Sequence, residues 1–412
     1  MSTTSTSNAP SRGAGLTFQD VLAATLRDPV AEEHRPIISR GETGTEAIVE
    51  PPGGRAPEKM RLSLIKSEDP ERAYHLTPDA PKKLDHHAEG WGMVYTAVTF
   101  LRRKRQGETG LRFKAPEIME AQLVAIKMLN KQVVNSCLER GANENPYKEI
   151  ARMQELGDGI HVLQCIEALE DDTHLYIITP YSSKGSLMDN IPWTQCDGNG
   201  YPEPTARAIF INILEILVYL EKHGIYHHDL APDNFLFFKG RLLLFDFAMS
   251  QRIPREEDGT RYLMRPQGVF GTMACTAPEL FDPNALYFDG IAGDLWGAGT
   301  ILYALLTGRM LYRNPCDRYF QFFVRAGGLR AELSAQILQT EHEDLKSRAN
   351  ANCSMPPQAL ELLVGLLEYK PTRRWTLMQA IESDWVKGTT GSSQQREQQE
   401  SSEGSKRPRV AG

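Results

Sequence analysis

No two cysteines of this 412-residue chain stand close enough to form a C-x-x-C pair. Cys137, Cys165, Cys196, Cys275, Cys316 and Cys353 are scattered, which argues against a zinc or dithiol site and fits reduced thiols in cytosol or nucleus. Positive charge is also short: 46 Lys and Arg against 53 Asp and Glu leave a formal net charge of −7. That balance argues against nucleic-acid binding driven by phosphate contacts and leaves protein partners open. Residues 1–14 are rich in Ser and Thr and lack an apolar core, so no secretory signal is expected. Long apolar runs are missing as well. Residues 208–220 are broken by Asn212 and Glu215, and 291–306 carry Asp294, so both are expected as buried helices and not as membrane spans. No repeat of fixed period is present.

Hydrophobic residues make up 41% of the chain, enough for a sizeable core. Residues 1–15 and 388–412 are rich in Ser, Thr, Gly, Gln and Glu, and disorder is expected there because they cannot bury enough surface to offset ordering entropy. The whole of 1–83 is expected to be a variable, partly disordered extension, with a short helix at 18–26, a strand at 61–66 and a Pro/Gly-rich break at 50–57. From Leu84 the pattern changes. Strands are expected at 93–101, 122–129 and 174–179, a long hairpin loop at 102–116 and a helix at 145–156. After Tyr181 the chain turns helical, with apolar segments at 206–223, 292–307 and 357–369. A strand-rich lobe at about 84–180 is therefore expected to precede a helix-rich lobe at about 181–387, an α+β fold.

The chemistry concentrates in 226–234, Tyr-His-His-Asp-Leu-Ala-Pro-Asp-Asn, which sets Asp229 five residues before Asn234 in a short polar loop. A carboxylate there can take a hydroxyl proton while an amide oxygen holds a hard cation against phosphates. Lys127 closes the apolar Val124-Ala125-Ile126, and Glu149 lies on the helix that follows. Asp246 follows the apolar 242–245 run. Singly, Lys127 could snorkel at a sheet edge, Asp229 could serve a turn and Asp246 could cap a strand. Their order along the chain argues for a site.

That order, with Asp246-Phe247-Ala248, Gly271-Thr272 and Ala277-Pro278-Glu279 downstream, resembles the eukaryotic protein kinase family over about 84–387. Within it, 294–299 and 305–308 are similar to the calcium/calmodulin-dependent kinase-like branch, although no EF-hand loop or calmodulin-target helix is present. The resemblance implies a two-lobed fold, ATP and Mg²⁺ as cofactors, and protein substrates. It implies that Lys127, oriented by Glu149, holds the α and β phosphates, that Asp229 is the catalytic base, and that Asn234 and Asp246 bind metal. Gly90 and Gly92 fall in the phosphate-covering loop, and Val94, Ala125 and Leu236 match apolar positions around adenine. Thr179 matches the gatekeeper and Pro180 to Ser182 the hinge. Met153 is expected to pack towards Phe247, Glu279 to pair with Arg374, and Asp294 to bond the catalytic-loop backbone.

Several positions depart from the family pattern. The glycine loop reads His87-Ala88-Glu89-Gly90-Trp91-Gly92-Met93-Val94, with only its third glycine in register. His228 replaces an arginine that commonly anchors a phosphorylated loop, which makes activation by loop phosphorylation less expected and a pH-sensitive contact conceivable. Ala231 stands where a phosphate-neutralising lysine is usual, and Ala248 replaces a glycine. Thr260, Tyr262, Thr272 and Thr276 are either phosphosites or ordinary loop hydroxyls. Two readings stand: an active Ser/Thr kinase, or a pseudokinase that binds nucleotide or partners with little transfer. The basic Lys406-Arg407-Pro408-Arg409 could act in nuclear import or be a solvated tail, so an intracellular location, cytoplasmic or also nuclear, is expected.

Overall fold

The computed structural model describes residues 35–388, apart from 321–354 and shorter stretches at 53–54, 69, 78–81, 84–90, 105–109, 117–122, 194–199, 254–262, 265–270, 283, 286 and 318–319. The helix expected at 18–26 and the 389–412 tail lie outside the described residues.

Eleven strands form the first half: β1 Ser39–Glu42, β2 Thr45–Glu50, β3 Glu58–Leu62, β4 Leu64–Lys66, β5 Arg72–Leu76, β6 Lys82–Lys83, β7 Gly92–Arg102, β8 Arg112–Lys114, β9 Leu123–Asn130, β10 Glu167–Glu170 and β11 His174–Pro180. All pairings among them are antiparallel except β1 with β10 and β2 with β8. The order β7-β5-β4-β1-β10-β11-β9, with β9 returning to β7, closes a ring. Closure removes the unpaired edges that an open sheet would present along this path. Leu64, Tyr74, Ala97, Val124, Ile126, Leu169, Tyr176 and Ile178 fill the inside. Val124 and Ile126 point inward by the two-residue alternation of a strand, which turns Ala125 and Lys127 to the opposite face.

Strands β1 to β6 precede Leu84, where the folded domain is expected to start, yet they are hydrogen-bonded into the same sheet. The strand expected at 61–66 is two strands divided at Ser63. The 102–116 stretch, expected as loop, contains β8, which pairs with β2 and β7. Phe113 of β8 is fully buried with Ala47, Val49, Leu62, Val98 and Phe100 in a second apolar cluster outside the ring.

Helices α1 Lys131–Glu139 and α2 Pro146–Leu156 interrupt the strands. The side chain of Asn145 caps α2 by accepting from the Tyr147 and Lys148 amides, with Pro146 preset for the first turn. The second half is mainly helical: α3 Leu187–Asn190, α4 Glu203–Lys222, α5 Gly290–Thr307, α6 Pro357–Leu366, α7 Leu377–Glu382 and α8 Asp384–Lys387. Two short strand pairs, β12 Ile225–Tyr226 with β15 Gln251–Arg252 and β13 Phe235–Phe238 with β14 Arg241–Leu244, lie between α4 and α5. Helix α5 is buried almost all round, as its composition requires. Among the described residues no helix is long and apolar enough to cross a membrane.

Arg374, whose side chain is fully buried, donates to both Glu279 carboxylate oxygens at 2.8 and 2.9 Å and to the Ala292 carbonyl at 2.7 Å. Removing one partner leaves a buried charge uncompensated. Glu279→Ala is expected to lower unfolding free energy by about 3 kcal/mol, read from urea denaturation; an unchanged midpoint would contradict this account of the pair.

Candidate active site

Lys127 leaves β9 on the face turned away from the ring interior, and Glu149 leaves the first turn of α2. The Lys127 ammonium donates to Glu149 Oε2 at 2.8 Å and lies 3.8 Å from Asp246 Oδ2. Burial disfavours the charge on Lys127, but Asp246 first and Glu149 second outweigh it and hold the lysine pKa above its ordinary value. Glu149 is only 3% exposed, and burial raises its pKa against the opposing pull of Lys127. The 2.8 Å contact orients the Lys127 ammonium, whose side chain keeps 20% of its exposure.

Asp246 follows β14 in a left-handed backbone conformation, φ 62°, that aspartate tolerates better than most residues. Phe247 is fully buried and belongs to the same apolar cluster as Met153. Ala248 lies in the 3₁₀ turn Phe247–Met249 and is not among the described residues with positive φ, so the alanine fits this turn without strain. Its carbonyl accepts from the Asn145 amide at 3.1 Å and ties the turn to α2.

Asp229 and Asn234 form the second half of the site. The Asn234 amide nitrogen donates to the Asp229 carbonyl at 2.8 Å and to its carboxylate at 3.1 Å, leaving the amide oxygen as acceptor. The Phe245 amide donates to the Asn234 carbonyl at 3.0 Å, which joins this loop to the segment entering Asp246. Asp294 supports the loop from α5, accepting from the amides of His227 at 2.6 Å and His228 at 2.9 Å. Burial raises its pKa to about 6, although His227 and those two amides pull the other way.

One contact was not foreseen from the sequence. The Thr272 amide donates to Asp229 Oδ1 at 2.8 Å. Gly271 makes this possible: its φ is +75°, and a Cβ there would stand 2.6 Å from the same carboxylate oxygen. The Gly271-Thr272 pair was the available signal. Thr276 is buried with its hydroxyl on the Thr272 carbonyl, which disfavours its use as a phosphosite, while Thr260 and Tyr262 lie outside the described residues.

The glycine-loop expectation is met only in part. Gly90 lies outside the described residues. Gly92 opens β7, where a Cβ would come within 2.0 Å of the Met128 carbonyl, so it serves close strand packing. Trp91 is 4% exposed and belongs to the core cluster containing Leu129, Val134, Cys137 and Ile150. The side chain at the loop's end is thus turned into the core. The residues expected around adenine are half-buried: Val94 pairs opposite Lys127, Thr179 opposite Ala125 and Pro180 opposite Val124, while Leu236 on β13 bridges to Ser186. The Ser182 hydroxyl donates to the Phe237 carbonyl at 2.6 Å and fastens the crossing segment to β13.

Of the two states open to His228 near pH 7, neutral or partly charged, its surroundings favour the neutral one, which speaks against the conceivable pH-sensitive contact there. Its ring packs against Tyr226 and Phe288 with centroids 5.5 and 5.4 Å away. Burial, then Lys148 and His227, lower its pKa to about 4, so it is neutral at pH 7 and no substitute for an arginine. A small solvent-open cavity lies beside it, lined among others by Asp229, Cys275, Leu280 and Gly293.

With this geometry in place, the match to known proteins is direct. The protein kinase domain family model matches residues 105–386. The chain belongs to the protein kinase family. It is 26% identical over 391 residues to the mouse serine/threonine-protein kinase DCLK3, covering 90% of this chain and 43% of the mouse protein. CDPK-related kinase 1 of Arabidopsis thaliana is 27% identical, with 66% of this chain and 42% of the plant protein covered. The calcium/calmodulin-dependent protein kinase cmkB of Emericella nidulans is 28% identical, with 62% and 58% covered. This kinase-family chain spans about half the length of the curated relatives it matches.

The His228 environment gives a pH test. Its folded pKa of about 4 lies below the ordinary 6.5, so as pH falls from 6.5 towards 4 the unfolded chain takes up the proton first and stability is lost. Allowing for the exposed part of the ring, the loss is expected on the order of 2 kcal/mol. His228→Phe should flatten that part of the stability profile; an identical slope in both proteins would contradict the assignment.

Proposed function

We propose that this chain is an active protein kinase that transfers the γ-phosphoryl group of Mg-ATP to serine or threonine hydroxyls of protein substrates. The observation that carries the reading is the convergence of Lys127, Glu149 and Asp246 on one side and Asp229 with Asn234 on the other, joined through Phe245. Asp246 and Asn234 offer the oxygen donors a hard divalent cation takes, and one carboxylate with one amide suffices where phosphates and water complete the shell. Magnesium, when bound, would neutralise charge on the phosphates.

The rest falls to the chain's own groups. Lys127 holds the phosphates while Glu149 fixes its direction. Val94, Ala125 and Leu236 would enclose adenine, with Thr179 and the Pro180 to Ser182 segment behind it. The acceptor hydroxyl oxygen bonds to the γ-phosphorus as the bond to the β–γ bridging oxygen breaks, and Asp229 takes the hydroxyl proton, leaving ADP and a phosphoester. The serine/threonine preference is supported by Gly271-Thr272 beside Asp229 and by the similarity to the mouse serine/threonine-protein kinase DCLK3.

A second reading, a nucleotide-binding or scaffold module with weak transfer, is favoured by two observations. Ala231 is fully buried where the family places a lysine on the transferring phosphate, and Trp91 is folded into the core. Loss of one oriented charge typically costs about 100-fold in rate, which weakens transfer without abolishing it.

Transfer from Mg-ATP to mixed Ser/Thr and Tyr peptide libraries tests the reading. Transfer to Ser/Thr peptides, reduced at least about 100-fold by Asp229→Asn with nucleotide binding retained, is expected; no transfer by folded protein would favour the scaffold reading. Ala231→Lys should raise turnover several-fold, and an unchanged rate would mean the missing lysine is no handicap.

A further inference from the structure

The chain ahead of β1 meets α2, the helix that carries Glu149, at Ile37. The Gln154 side chain makes two hydrogen bonds to the backbone of one residue, accepting from the Ile37 amide and donating to the Ile37 carbonyl, both at 2.8 Å. A side-chain amide is here paired as a strand neighbour would be. The Ile37 side chain is 75% exposed, so its backbone makes the attachment, while Ile38 packs against the main core cluster.

From there the segment is fastened along its length. Ser39 and Arg40 pair in parallel with Leu169 and Glu170 of β10, and Gly41 and Glu42 pair with Lys66 and Ile65 of β4. A Cβ on Gly41 would stand 3.2 Å from Leu64 and 3.3 Å from Leu169, so the fit is close. The strap is therefore anchored to the closed ring at one end and to α2 at the other. Glu149 and Gln154 lie five residues apart on that helix, and Glu155 between them and the helix end accepts from Arg252 of β15 at 2.7 Å. Helix α2 is thus held from three directions: by Lys127, by the start of the segment after Asp246, and by the N-terminal strap.

We infer that residues 37–42 act as a strap that positions α2, and through it Glu149 and Lys127, with Gln154 as the positioning residue. His228 is neutral and packed among aromatics, so the site does not use an arginine at that position to order its helix; the strap and the Glu155–Arg252 pair hold it without a phosphate. The inference rests on the reading of Lys127–Glu149 as the phosphate-holding pair.

Gln154 is exposed, so Gln154→Met in the full chain removes both hydrogen bonds without opening a core cavity. Gln154→Glu keeps the acceptor for the Ile37 amide and opposes the Ile37 carbonyl. Hydrogen exchange over 146–156 is expected to be about five- to tenfold faster in Gln154→Met, with a smaller increase in Gln154→Glu, and the thermal midpoint within about 2 °C of the parent. Turnover with Mg-ATP should fall by a similar factor. Exchange over 146–156 unchanged in both variants would overturn the strap. Faster exchange with unchanged turnover, while Glu149→Gln loses turnover, would overturn its positioning role. Unchanged turnover in Glu149→Gln as well would count against the phosphate-holding reading and not against the strap.

Discussion

Everything at the cleft depends on one buried ion pair, Lys127 with Glu149, at 2.8 Å. Taking both charges out of water costs more than their attraction alone returns, so such a pair is placed for orientation and must be held by its surroundings. Strand alternation supplies one half, turning Lys127 outward while Val124 and Ile126 fill the ring. The Asn145 cap and the buried side of α2 supply the other. Asp246, at 3.8 Å, adds the second carboxylate that keeps the lysine charged.

The surroundings that hold the pair reach further along the chain than the motif residues do. The ring closes only because β1, β4 and β5 bridge β10 and β7, and these strands come from the segment ahead of the recognisable motifs. Tyr74 of β5 extends this bracing by donating to Glu167 of β10 at 3.0 Å. An open sheet would leave β10 with a free edge; the closed one pairs that edge with β1, and Ile37 ahead of β1 is hydrogen-bonded to Gln154 of α2.

What was legible in the sequence was local or set by spacing. The 242–245 apolar run, the Asn145-Pro146 start, the 206–223 and 292–307 segments and the five-residue step from Asp229 to Asn234 all reappear, because each depends on neighbours in the chain. Apart from the strand expected at 61–66, the N-terminal strands were not legible. They are three to six residues long and largely polar, and their partners lie far off, as with Ser39 opposite Leu169. Nor did the glycine-loop register say where Trp91 would point, since a large aromatic there fits a loop tip or a core equally well. Nor was it legible that His228 would be neutral: burial is the first cause that lowers its pKa, and Phe288, which packs against the ring, stands sixty residues away.

The departures from the family pattern therefore sort by position. Ala248 is absorbed by a helical turn, His228 by an aromatic pocket, and Trp91 by the core, whereas Ala231 leaves a functional position without its usual charge. The retained ion pair is the part on which the proposed activity turns. The most direct measurement is single-turnover γ-phosphate transfer and Mg-ATP affinity in the parent protein and in Lys127→Met, at matched folding. The account predicts transfer at least about 100-fold slower with adenine-dependent binding largely kept. Equal transfer rates in the two proteins would contradict it.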